Sequence, residues 1–198
     1  MIELLDDTRI PEVVTLHQQV LSHTLNSRIG PWFLQKLYQQ TLLSRQNGIC
    51  YIYTESTRVL GFISFCRDHH RLEREIRSSL TLSDLLRVAT ALVLHLSWWP
   101  SLIRQLLFSR FLGLRHPGQY SLILTLGVAP NQQGKGIGSQ LIQKAVAAMT
   151  SLGVRDFFVD TEATNTGAIE TYEKNGFELV DEKYGNIILR YGSSRNKR

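Results

Sequence analysis

The stretch Leu126-Gly-Val-Ala-Pro-Asn-Gln-Gln-Gly-Lys-Gly-Ile-Gly-Ser139 decides the reading of this chain. A strand-like run ends at Val128, a loop with three glycines follows, and a helical pattern starts at Gly136. Glycines let a backbone turn sharply and let a ligand come close. The first N–H groups of a helix have no intrahelical acceptor and gather a partial positive charge. Lys135 adds a cation. Gln133, Gly134, Lys135, Gly136, Ile137, Gly138 and Ser139 therefore read as a site for phosphate or pyrophosphate. The spacing Gly134-x-Gly136-x-Gly138 is one residue short of a dinucleotide fingerprint. Lys135 is followed by Gly136, where a P-loop would need Ser or Thr.

Outward from this turn, the pattern alternates. Tyr120–Val128 is expected as a strand, Gly136–Leu152 as a helix stopped by Gly153, and Val154–Thr161 as a strand. Asn165–Asn175 reads as a helix stopped by Gly176. Phe177–Asp181 and Ile187–Tyr191 read as closing strands. Toward the N-terminus, Ile2–Leu5 is a short strand, with Asp7 and Thr8 as candidate caps for a helix carrying Pro11 in its first turn. A second helix restarts at Gly30-Pro31, and Gly48 closes it. Ile49–Thr54 and Val59–Cys66 form an antiparallel hairpin. Residues 67–118 are the irregular part: a charged opening, then a Leu-rich run with Trp98-Trp99-Pro100 in its middle, expected as two or three helices. The whole is an α/β pattern over one domain, 1–198, with 67–118 as a helical insertion and 193–198 as a flexible basic tail.

Two segments carry a resemblance to a known family. Gln133-Gly-Lys-Gly-Ile-Gly138 resembles the Gln/Arg-x-x-Gly-x-Gly/Ala signature of the GCN5-related N-acetyltransferases (GNAT). Asn165-Thr-Gly-Ala-Ile-Glu-Thr-Tyr-Glu-Lys-Asn-Gly-Phe177 is similar to that family's second landmark, at the expected separation. The match is good over Tyr120–Tyr191 and looser over Ile2–Cys66. It implies a GNAT fold, a mixed central sheet splayed between strands 4 and 5, flanked by helices, with an inserted helical segment.

The resemblance also implies a binding mode and a reaction. Acetyl-CoA would place its pyrophosphate on Gln133–Ser139. Its pantetheine arm would pair with the edge of Leu126, Gly127 and Val128, as an added strand does. Asn165 would bond that arm; the residue equally suits a helix N-cap, and both readings stand. Tyr172 lies two helical turns after Asn165 and would protonate the departing thiolate, the other reading being a packed core tyrosine. A backbone N–H, that of Val128, would steady the oxyanion. Asp160 and Glu162 share one face of the fifth strand and are the candidate bases, with Asp160 first; the alternative for each is a solvated strand-end carboxylate.

Composition closes off several classes. Lys and Arg exceed Asp and Glu by 5 in 198 residues, without a dense basic run interleaved with aromatics, so nucleic acid is not the expected partner. Cys50 and Cys66 fit no metal spacing and no disulfide framework; they read as buried thiols suited to a reducing cytoplasm. His69-His70 lacks a third ligand, so no metal is expected. No unbroken apolar run is long enough to cross a membrane. The expected activity is acetyl transfer from acetyl-CoA to a primary amine on a small molecule or peptide. The alternatives are a non-catalytic acetyl-CoA-binding regulatory module, or a membrane- or complex-associated protein using the insertion. For the insertion itself, a packed helical lid, an acceptor wall, a homodimer interface and a membrane-surface segment all stay open.

Overall fold

The computed structural model describes residues 1–44, 46–100, 103, 107, 108, 111 and 118–192. The chain opens with β1 (Ile2–Leu4), a 3-10 turn at Asp7–Arg9, and helices α1 (Ile10–Val20), α2 (Leu25–Ile29) and α3 (Pro31–Leu43). A hairpin follows, β2 (Gly48–Glu55) and β3 (Arg58–Cys66), then helices α4 (His69–Ser79) and α5 (Leu82–Leu94). Next come β4 (Ser121–Val128), α6 (Ile137–Ser151), β5 (Asp156–Glu162), α7 (Thr166–Lys174), β6 (Glu178–Lys183) and β7 (Asn186–Gly192). The expected third inserted helix lies largely, and the tail 193–198 wholly, outside the described residues.

One seven-stranded sheet runs in the order β1-β2-β3-β4-β5-β7-β6. Every pairing is antiparallel except β4 with β5. Strand alternation sorts side chains onto two faces. On one face, Ile63, Phe65, Ile123 and Phe157 pack under α6 through Leu141, Ile142 and Met149. On the other, Ile52 and Phe62 meet Val13 and Leu34 of α1 and α3. Gly61 lets α6 lie close, since a Cβ there would stand 3.1 Å from both Ile137 and Leu141.

The inserted helices are tied to α3 by polar contacts. Asp84 closes a capping box with Thr81 at the start of α5 and pairs with Lys36. Those contacts hold its carboxyl well below the usual carboxylate range. The Arg87 guanidinium lies 5.6 Å over the Trp32 ring, and the Ser44 hydroxyl donates to Glu75 on α4. A third apolar cluster, including Cys66, Leu72, Tyr120, Leu122 and Ile188, joins α4 to the sheet. Cys50 and Cys66 are buried free thiols, and burial pushes Cys66 up to about 12.

Three expectations need correction. Gly48 does not close α3, which ends at Leu43 with Ser44 as its cap; it opens β2 opposite Cys66. Asp6, not Asp7 or Thr8, caps the first turn, accepting from the Thr8 and Arg9 amides at 2.8 and 3.2 Å. A cap needs extended backbone, and Asp6 has φ −117°, ψ 169°, while Asp7 and Thr8 already sit inside the turn. Phe177 does not open β6. Its N–H donates to the Tyr172 carbonyl at 3.1 Å, so it belongs to the stop of α7.

Candidate active site

The glycine turn has the backbone its sequence demands. Gly134 and Gly136 have φ +76° and +80°, the left-handed region that an L side chain enters at a cost of about 1–2 kcal/mol. A Cβ at either position would meet nothing within 4 Å. Conformation therefore requires glycine there, and the space over both residues is open to a ligand. Gly136 precedes Ile137 at the start of α6 and brings no side-chain cap, which leaves the first-turn amides for an outside acceptor. Lys135 Nζ donates to Gln132 Oε1 at 2.8 Å, holding the cation beside the turn. The residues fit a diphosphate.

Among the described residues, the β4 edge beside this turn pairs with no strand beyond Ile123. β4 pairs with β5 through Ser121–Phe157, Leu122–Phe158 and Ile123–Val159. Beyond that point β4 runs on to Val128, and β5 turns its remaining pairing to β7 alone. The register of β3 against β4 shifts just there, passing from Phe65–Ile123 to Ser64–Thr125 and leaving Leu124 as an extra residue. Such a bulge bends its strand and ends pairing. The Ala129 N–H donates to Leu60 O on the β3 side at 2.8 Å. By alternation, the backbone groups of Val128 and Leu126 face the gap, and those of Gly127 face β3. Gln133 Nε2 reaches Val128 O at 3.1 Å. Gly127 serves packing instead: a Cβ would come within 2.6 Å of the Phe62 ring and 2.8 Å of Val20.

α7 supplies the next groups. Asn165 caps the helix, its Oδ1 accepting from the Ala168 N–H at 3.2 Å. Tyr172 is buried, with its ring edge-on to Phe177 at 5.3 Å. Burial, and next the charge of Asp160, push its phenol well above the usual value, so it stays protonated. Asn175 is a residue that motif reading passed over. Its Nδ2 donates to Ser139 Oγ at 3.0 Å and to the Thr171 carbonyl at 2.8 Å, and its Oδ1 accepts from Gln143 at 3.2 Å. It fastens the first turn of α6 to the end of α7.

Asp160 stands on β5 just past the last β4 pair. Burial raises its carboxyl to about 6, against a lowering by His69 of α4. His69 had no role in the sequence reading; its ring lies 5.2 Å from that of Tyr120, and its backbone N–H donates to the Tyr120 carbonyl at 2.9 Å. Glu162 ends the same strand, opposite Asn186 of β7. Asp160 shares its sheet face with Phe158 and Ile188, under the insertion, whereas Tyr172 belongs to the core on the other face. The Asp160 charge acts on Tyr172 near the place where β4 and β5 part. A half-buried carboxylate and a protonated phenol thus flank one gap, near an open strand edge and an anion-binding turn.

Comparisons with known proteins bear on the family and the fold. Over 65 residues the chain is 38% identical to the mycothiol acetyltransferase of Cellulomonas flavigena, covering 32% of this chain and 19% of that protein. Over 63 residues it is 33% identical to the mycothiol acetyltransferase of Propionibacterium freudenreichii, covering 32% and 20%. The matched stretch spans about a fifth of these curated relatives. The fold is that of the Escherichia coli ribosomal-protein-S18-alanine N-acetyltransferase (TM-score 0.59, 13% identity, 100% of this chain and 97% of that one). It is equally that of the PaiA N-acetyltransferase of Thermoplasma acidophilum in complex with coenzyme A (TM-score 0.61, 14% identity, 98% and 99%). The model of the Acetyltransferase (GNAT) family matches residues 18–177, a span that holds the glycine turn, the open β4 edge and α7. This chain belongs to the GNAT acetyltransferase family.

Proposed function

We propose that the chain is an N-acetyltransferase that moves an acetyl group from acetyl-CoA to a primary amine. The observation that carries this reading is the left-handed glycine turn set beside a β4 edge that β5 leaves unpaired. The amides of Gly134–Ser139 would hold the diphosphate, and the backbone groups of Leu126 and Val128 would hold the pantetheine amides. Asn165 would add a side-chain contact to that arm. Acetyl-CoA supplies the activated acyl carbon.

The remaining chemistry falls to this chain's own groups. The Asp160 carboxylate takes the proton an ammonium must lose before its nitrogen can attack; Glu162 is the second candidate. A group raised to about 6 is mostly ionised at neutral pH and more basic than an ordinary carboxylate. The Val128 N–H faces the gap and donates to the oxygen that gains charge as the C–N bond forms. The Tyr172 phenol, kept protonated by burial, gives its proton to the sulfur as the C–S bond breaks. Base and acid on opposite faces of the sheet let the amine approach from one side and the thiol leave toward the other.

Calorimetric titration with acetyl-CoA, with CoA and ATP as comparisons, tests the site. Binding of both CoA species with ATP weak supports it; folded protein that binds neither CoA species overturns it. Thiol release with a panel of amines then separates an enzyme from a binding module.

A further inference from the structure

Helix α5 is turned outward in a way its composition opposes. Its inner side carries Asp84, bonded to Lys36 and Thr81, with Val88, Ala91 and Leu92 half-buried beside it. Its outer side carries Leu82, Leu86, Ala89 and Val93, spaced so that they line one stripe, and all are exposed. Leu82 is 73% exposed, Leu86 60% and Val93 67%. Leu85 and Leu94 flank the stripe and are exposed too. Past the helix, Trp99 is exposed, and its indole N–H is already satisfied by the Leu92 carbonyl at 3.1 Å, so the ring offers apolar surface. Ile103 and Leu107, further along the chain, are exposed as well. A contiguous patch of this kind marks an interaction site.

Charge says what covers it. No Asp or Glu occurs anywhere between Asp84 and Asp156, while Arg87, Arg104, Arg110 and Arg115 lie in the first part of that span. Asp84 itself is neutralised by Lys36. The patch is thus apolar at its centre, with tryptophan at its end, in a sequence segment whose fixed charges are all positive. An apolar stripe ending in tryptophan, within a stretch of sequence that carries arginines and no acids, has the chemistry that an anionic lipid interface takes up. A second copy would bring the same acid-free segment against this one, with no carboxylate in it to pair with the arginines. At 13 residues α5 is too short to span a bilayer, and no described helix is long and apolar enough to do so.

We infer that the outer face of α5, continued by Trp99, docks this protein on the surface of an anionic membrane. The inference is independent of acetyl transfer, since no residue of the candidate active site is part of the patch. The test is flotation of the full chain with vesicles of phosphatidylcholine alone and of phosphatidylcholine mixed in equal parts with phosphatidylglycerol. The wild type is expected to float with the mixed vesicles, to release at high salt, and to shift its tryptophan emission to the blue. The double variant Leu86→Glu, Val93→Glu is expected to lose binding by about tenfold or more, with its circular dichroism and CoA titration unchanged. Equal flotation with both vesicle types, or none with either, overturns the inference whatever the variant does. So does a wild-type dimer, seen by light scattering, that the double variant splits.

Discussion

Asn175 Nδ2 and Ser139 Oγ stand 3.0 Å apart, and this hydrogen bond clips the first turn of α6 to the end of α7. The turn that is proposed to hold the diphosphate is thereby fixed relative to the helix that bears Asn165 and Tyr172. Asn175→Ala is expected to remove about 1 kcal/mol of this restraint and to weaken acetyl-CoA binding about fivefold. Calorimetry checks it. Unchanged affinity would show that the turn is held by other contacts.

Gly136 separates conformation from space. Gly136→Ala places a Cβ in open volume but at φ +80°, so it should cost about 1 kcal/mol and lower Tm by about 2–4 °C. CoA binding should survive in part. Gly136→Glu adds a negative charge over the same amides and should abolish the heat of titration. A glutamate variant that binds CoA normally would remove the diphosphate from this turn.

Tyr172→Phe leaves the ring packed on Phe177 and deletes the hydroxyl. The expected result is a fall in kcat of about 10²-fold with CoA affinity unchanged, read by thiol release and by titration. Full turnover would leave Tyr172 as a packing residue.

Asp160 makes a pH prediction of unusual sign. The folded carboxyl, at about 6, lies above its ordinary 3.8, so the folded chain holds that proton more tightly than the unfolded chain. Its contribution to stability is therefore present in full below about pH 4 and is lost as pH rises through 6. Asp160→Asn should melt higher than the wild type at alkaline pH, by an amount on the order of 1 kcal/mol after allowing for partial exposure, with the gap closing in acid. If Asp160 is the base, kcat/KM of the wild type should fall below an apparent pKa of about 6, and the asparagine variant should lose that limb together with about 10²-fold in rate. A variant that keeps both rate and limb would shift the role to Glu162.

Much of this was legible because it rests on residue types with few options. Of the three glycines around Lys135, Gly134 and Gly136 point to an anion turn since few other residues tolerate φ near +80°, and Asn165 at a helix start has a narrow set of uses. What stayed hidden depends on geometry shared by many sequences. Leu124 is the unpaired residue of the bulge, yet it reads like every other apolar residue of β4. Strand alternation states that Gly127 and Val128 point apart, but only the Ala129–Leu60 bond fixes which faces the gap. The period of α5 marks an apolar stripe and cannot say that Asp84 faces in while Leu86 faces out. His69 comes near Asp160 across about ninety residues of chain, a closeness no local pattern encodes.

The antiparallel pairing of β3 with β4 carries a consequence for how the chain finds its fold. Neighbours of this kind can be joined by a two-residue turn, and here about fifty residues intervene, adding about 3 kcal/mol of loop-closure entropy by the logarithmic law. The anchors along that detour, Lys36–Asp84, Arg87–Trp32 and Leu72 in its apolar cluster, offset that entropy. Two halves of the sheet, β1–β3 and β4–β7, can each assemble from contacts closer in sequence, and their seam at β3–β4 is the high-contact-order step. Closing that seam brings together residues the sheet otherwise leaves far apart, whereas the β4 edge that faces β5 is set within the β4–β7 half and does not wait for it.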